Sequence, residues 1–244
     1  MKTITQIAAL TTALLVGSAS LAGPATTARA GERGDIAWTV SPANDPQGAP
    51  TIEFRHDTSN TSFSLDKDAD LAEITAALTA AGDVGFTLTR EAGTLRCQGT
   101  NDGAYEGRGS CTFAADRGFE QDLRARHLAP EGRGELLAMT LLNANRALID
   151  GLTRQGVPPE SADDVIAAAA LEVTPEYVAE LQAAGLKLAK LDDAVACRAL
   201  EVDGEYVRAL AEAGYHADAE QVVAMKAVGV TPEYARRMTA AAQD

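Results

Sequence analysis

The sequence predicts an α+β protein: a small antiparallel β-sheet domain carrying one helix over residues 35–116, then a stack of α-helical hairpins, a short α-solenoid, over 117–244. Two observations carry this. Apolar and polar residues alternate in short runs as far as Phe113, the period of half-buried strands. From about Phe119 the chain turns rich in Ala, Leu and Glu and begins to repeat itself, which is how stacked supersecondary units read.

The chain opens MKTITQIAALTTALLVGSASLAGPATTARA, with one cation at Lys2, an apolar run from Ile4 to Val16 and then small residues. That layout predicts a secretory signal peptide over 1–22, cut after Ser20-Leu21-Ala22, with a later cut after Ala28-Arg29-Ala30 as the alternative. A retained N-terminal anchor is the competing reading, although the run is short for a bilayer span. A flexible linker over 23–34 follows. The expected location is extracytoplasmic, where disulfides persist.

The formal net charge is -14, and removing residues 1–22 takes away Lys2 alone, leaving 20 basic and 35 acidic side chains, or -15. Such a charge repels phosphate backbones and anionic headgroups, so nucleic acid and membrane-surface partners are disfavoured. No later run approaches membrane length, so no insertion is expected after signal cleavage. The partner class that fits is an envelope or extracellular protein.

The sheet elements follow in order. Ile36, Trp38 and Val40 alternate with polar neighbours, as do Ile52 and Phe54, Phe63 and Leu65, Phe86 and Leu88, Leu95 and Cys97, and Cys111 and Phe113. Between them Leu71, Ile74 and Leu78 stand at helical spacing, predicting a helix over Asp70 to Ala81 that ends before Gly82. Trp38 reads as core. Cys97 and Cys111 share the apolar phase of two strands, and a hairpin centred near Ala104 makes them face each other. A disulfide is expected, closing a loop of a length that contributes about 3 kcal/mol; two buried thiols are the competing reading.

In the second half Gly156, Gly185 and Gly214 recur every 29 residues, and Tyr177, Tyr206 and Tyr234 at 29 and 28. Counting back from Tyr177 reaches Leu148, so four units are expected, the first degenerate. In each, Thr174 or its equivalent caps a helix, Pro175 suits the first turn because it lacks an amide hydrogen, and Glu176 faces the positive end of the dipole. Tyr177, Val178 and Leu181 form the apolar stripe, and Gly185 closes the helix in the left-handed conformation. Ser161 and Asp164 are spaced for a capping box on a preceding helix. Two short helices cannot bury an apolar face alone, so neighbouring units must stack. Functional side chains then belong on the solvent face, where Glu180, Arg208, Glu212, Arg236 and Arg237 are the candidate interaction surface. Residues 157–244 hold 7 basic and 16 acidic side chains, so that surface is acidic overall.

The segments GVTPEYARRM, EVTPEYVAEL and TREAGTLRCQGTNDGAYEGRGSCTF resemble a group of bacterial extracytoplasmic proteins. There a glycine-rich strand segment precedes several G-V-T-P-E-Y-V-x-x-L-x-x-x-G helical units. Similar units are appended to membrane metallopeptidases of the BlaR type. The likeness spans most of residues 85–244. It implies a periplasmic or secreted bacterial location and this architecture more than an activity, because the peptidase signature H-E-x-x-H is absent and Cys97 and Cys111 replace an aromatic residue and a glycine of the pattern.

Motifs with chemical potential are few. Asp66, Asp68 and Asp70 alternate as in a calcium loop, yet Leu71 stands where glycine is needed and Ala77 where the bidentate glutamate belongs. Ser64 and Lys67 match S-x-x-K without a K-T-G partner. His56, His127 and His216 lie in separate segments without metal spacing; His127, four residues after Leu123, is expected to pack partly buried. Gly107-Arg-Gly109 is expected in a hairpin turn and Gly132-Arg-Gly134 in a connector. Asn60-Thr61-Ser62 would be a glycosylation sequon only in a eukaryotic secretory route. Cys197 aligns with Ala168 and Met225, as a buried small hydrophobe would. No cofactor or metal is expected.

These readings favour a non-catalytic extracytoplasmic protein-interaction or adaptor module, active in envelope signalling. The alternatives are a redox or small-ligand sensor, and a glycan hydrolase using carboxylates such as Glu91 or Glu106 between the two halves.

Overall fold

The computed structural model describes residues 36–43, 48–57, 59–65 and 71–241. The expected signal peptide and linker, and Asp66, Lys67, Asp68 and Asp70, lie outside the described residues.

Six strands form one antiparallel sheet: β1 Ile36–Ser41, β2 Thr51–His56, β3 Ser59–Ser64, β4 Gly82–Arg90, β5 Gly93–Asn101 and β6 Gly107–Ala115. Their order, β3-β2-β1-β6-β5-β4, is two three-stranded meanders joined along β1 and β6. The helix α1, Ala72–Ala77, connects the two sheet edges. Every alternating pair named above contributes to the core, and β1 runs buried-exposed along its whole length. One sheet face is therefore covered and the other presents Thr, Ser, Gln and Arg to solvent.

The helix α1 is shorter than the spacing predicts. Leu71, Ile74 and Leu78 are all buried, but the amide of the buried Asn101 side chain donates to the carbonyls of Leu78 (2.6 Å) and Ala80 (2.8 Å). Those acceptors are taken from across the sheet, and the chain turns into β4 at Gly82, whose φ is 126°.

Cys97 and Cys111 are directly opposed in the β5-β6 register and form a disulfide, with Cα atoms 4.0 Å apart. Next to them the sheet accommodates an indole. Gly99 pairs with Gly109, which also pairs with Trp38. A Cβ on Gly109 would stand 2.5 Å from Trp38 Nε1 and 2.7 Å from Gly99 Cα. The Trp38 Nε1–H donates to Gln98 O at 3.2 Å, and its ring meets Phe86 edge-on at 5.2 Å. Gly109 thus lies inside β6 rather than in a turn; the turn is Asp102 to Glu106, closed by Asp102 N donating to Glu106 O. Glycine in a strand here permits close approach.

Among the described residues nine further helices follow: α2 Arg117–Ala125, α3 Arg133–Leu141, α4 Arg146–Arg154, α5 Ala162–Ala170, α6 Pro175–Ala183, α7 Leu191–Ala199, α8 Gly204–Glu212, α9 Ala219–Ala227 and α10 Pro232–Ala241. After α2 they form four hairpins. The second helices are capped at corresponding positions: Asn145, Thr174, Asp203 and Thr231 each accept from the backbone N–H three residues on. Ser161 and Asp164 make the expected capping box on α5. Gly132 flanks the start of α3 and Gly134 lies within it, so that pair is part of a helix rather than a connector.

Helices α2 to α9 each end on a left-handed residue: His127, Asn143, Gly156, Glu172, Gly185, Glu201, Gly214 and Gly229. The following amide returns to the carbonyl five residues back, as in Leu128 N to Leu123 O at 2.8 Å and Leu186 N to Leu181 O at 3.1 Å. His127 is therefore exposed. The helical register that would bury it ends at Ala125, and Leu128 packs inward in its place.

One core joins the sheet, α1, α2 and α3 with Ile149, Ala162 and Val165; a second runs along the later hairpins from Leu152 to Ala235. Charged groups tie the sheet to the first helices. Arg90 donates to Leu141 O (2.6 Å) and Thr140 O (3.2 Å), at the negative end of α3. Arg146 pairs with Glu91 (2.8 Å) and Asp122 (3.2 Å) and lies 5.0 Å over the Phe119 ring. Arg126 bridges Asp122 and Asp150, and its hydrogen bond holds the Asp150 carboxyl below its ordinary range.

Candidate functional site

Successive second helices lie side by side, so solvent-facing residues of α8 and α10 share one flank. Between them runs a groove of 540 Å³ whose lining includes Arg208, Glu212, Lys226, Glu233 and Arg236. Three of the five residues read from the sequence as an interaction surface meet here: Arg208, Glu212 and Arg236 are all exposed and line the groove.

The other two lie outside the groove. Glu180 Oε1 accepts from Gly204 N at 2.9 Å. Gly204 takes the place of Pro175 and Pro232 at the start of α8, so it alone of the three carries an N–H, and α6, the second helix of the preceding hairpin, satisfies it. Arg237 lies with its guanidinium 5.9 Å from the Tyr234 ring centroid.

Tyr206 lines the groove, and its hydroxyl repeats a contact made one hairpin earlier by Tyr177. Tyr177 O–H donates to Val202 O (2.6 Å) and Tyr206 O–H to Val230 O (2.8 Å), so the second hairpin fastens the third and the third the fourth. Burial pushes both phenols above their ordinary range. Lys226 Nζ lies 4.6 Å over the Tyr206 ring. At the open rim Arg236 pairs with Glu233 at 3.0 Å. The Glu233 carboxyl is held low by its own backbone N–H, then by the Thr231 hydroxyl and Arg236. The groove offers alternating carboxylates and cations, a pattern suited to reading charge on a partner.

The remaining candidates disperse. Glu91 and Glu106 lie in the turns at opposite ends of β5, a nine-residue strand, and hence about 27 Å apart by strand rise. That is far beyond a hydrolytic carboxylate pair, and Glu91 is engaged with Arg146. Cys197 is fully buried, and burial, followed by the nearby Asp193, pushes its thiol up to about 11, away from a reactive thiolate. Among the described residues no group of three or more His, Cys, Asp or Glu is placed to hold a metal ion, and no helix is long and apolar enough to cross a membrane. No family model matches the chain, and neither does any curated protein or solved structure.

Sequence reasoning missed two things. The Glu91, Arg146, Asp122, Arg126 and Asp150 network joins segments far apart in the chain, and only the i, i+4 spacing of Asp122 and Arg126 was visible. A second cavity, of 310 Å³, opens between β1, β2, β3 and α3. Its one visible signal is Gly134, a glycine inside a helix.

Proposed function

We propose that this chain is a non-catalytic interaction module of the bacterial extracytoplasmic space, docking an envelope or extracellular protein along the α8-α10 flank. The observation that carries this is the gathering of Arg208, Glu212 and Arg236 in one groove built on a rigid helical stack. Stacked hairpins present extended surfaces, and the alternating charges give such a surface specificity and rate of association. The disulfide and the resemblance of the Thr-Pro-Glu-Tyr units to extracytoplasmic proteins support the location. A redox sensor is disfavoured, since Cys97 and Cys111 are both buried within the sheet and reactive cysteines sit in accessible, electropositive surroundings.

The test is crosslinking of tagged protein in its native envelope, with a charge-reversed variant carrying Arg208→Glu, Glu212→Lys and Arg236→Glu. The expected result is a protein captured by the wild type and lost in the folded variant, whose purified form binds the variant about a hundredfold more weakly. Equal binding to both would remove the groove from the function.

A further inference from the structure

We infer that the cavity between the β1-β2-β3 meander and α3 binds a small apolar molecule ending in an uncharged hydrogen-bonding group. This is independent of the α8-α10 groove. The cavity measures 310 Å³, within the range of small-molecule sites. Its inner wall is apolar: Ile36, Phe54, Leu137 and Leu141 line it and are each buried. Polar groups gather on the side of the β2-β3 hairpin, where His56 and Asp57 stand 3.5 Å apart and the Ser59 and Thr61 side chains follow.

The space is left by small residues on α3. Gly134 and Ala138, one turn apart, both line it. Gly134 has helical backbone, so no left-handed conformation calls for glycine, and a Cβ there would meet nothing within 4 Å. Gly134 is exposed in the first turn of α3, at the mouth of the cavity, and neither crowding nor strain calls for a glycine there.

The lining also selects the head group. It contains no lysine or arginine among the described residues, and its one carboxylate is Asp57. A fatty acid or phosphate head would approach the Asp57 carboxylate at the mouth with no lysine or arginine in the lining to offset the repulsion. A hydroxyl or amide, in contrast, finds imidazole and hydroxyl partners. A short alkyl or ring body with such a head is the class that fits.

The experiment is displacement of N-phenyl-1-naphthylamine from the purified, disulfide-bonded protein by 1-octanol, octanoate and octyltrimethylammonium. Octanol is expected to compete at a concentration about tenfold below that of octanoate, and competition by octyltrimethylammonium as tight as by octanol overturns the uncharged assignment. Gly134→Leu and Ala138→Leu fill the space and should each weaken dye and octanol binding about tenfold while retaining the thermal midpoint. Met238→Ser, which alters the exposed end of the stack, should leave binding unchanged. No binding, equal competition by octanoate, or sensitivity to Met238→Ser rather than to the cavity variants overturns the inference. If neither cavity variant folds, nuclear Overhauser contacts between octanol and the Phe54 ring and Leu137 methyls in the wild type decide it, and their absence refutes it.

Discussion

The sheet and the hairpin stack solve the same problem, burying an apolar face, in opposite ways. In the sheet every contact is made once. Trp38 depends on two glycines from two other strands, the disulfide on a single register, and Asn101 on two carbonyls more than 20 residues away. In the stack a few local contacts are made several times over. The cap, the left-handed closure and the tyrosine hydroxyl recur from one hairpin to the next. Uniqueness makes the sheet intolerant at particular points, whereas repetition spreads the stability of the stack over many equivalent ones.

The sharpest way to break this contrast is Gly109→Ala. The added methyl meets Trp38, Gly99 and the Gln98 carbonyl at once, none of which can move without breaking the β5-β6 register. A loss of about 3 kcal/mol is expected, read as a lower urea midpoint with near-ultraviolet dichroism of Trp38 altered. A loss under about 1 kcal/mol would mean the sheet repacks as freely as the stack.

Within the stack the same substitution should give different answers by position. Tyr206→Phe removes the donor to Val230 O and is expected to cost about 1 kcal/mol. Tyr234 sits at the corresponding place with no hairpin beyond it among the described residues and is 46% exposed. Tyr234→Phe should therefore change the denaturation midpoint by less than a few tenths of a kcal/mol. Equal effects would show that the hydroxyl does not fasten one hairpin to the next.

The smallest effect has the opposite sign. Glu201 closes α7 at φ 55°, where Gly185 and Gly214 close α6 and α8. Glu201→Gly should stabilise by about 0.5 kcal/mol, because relief of left-handed strain exceeds the added freedom of the unfolded chain. Thermal unfolding by calorimetry checks it.

Much of this division was legible. Alternation located the strands because one face of the sheet is covered, and the hairpin centre at Ala104 was enough to oppose Cys97 and Cys111. Spacing alone revealed Thr174, Pro175 and Gly185 because their interactions lie within one helix. What escaped depends on distant residues. The early end of α1 is imposed by Asn101, and the place of Gly109 by Trp38 from another meander. His127 was misjudged because its helix stops one turn sooner than the periodicity of Phe119 and Leu123 suggests. On the flank, the sequence shows which residues point outward but not which meet: Arg208, Glu212 and Arg236 line one groove, while Glu180 is drawn to Gly204.

The tyrosine bond also has a direction, since the second and third hairpins carry the hydroxyl and their successors the carbonyl. Tyr177 and Val202 both fall in the 29-residue stretch 174–202, so excising that stretch removes donor and acceptor together and joins Val173 to Asp203, the cap of α8. Duplicating it inserts a matched pair. Copy number can thus change by whole cassettes without orphaning a phenol, which gives the lineage of such chains an inexpensive route to longer or shorter arms.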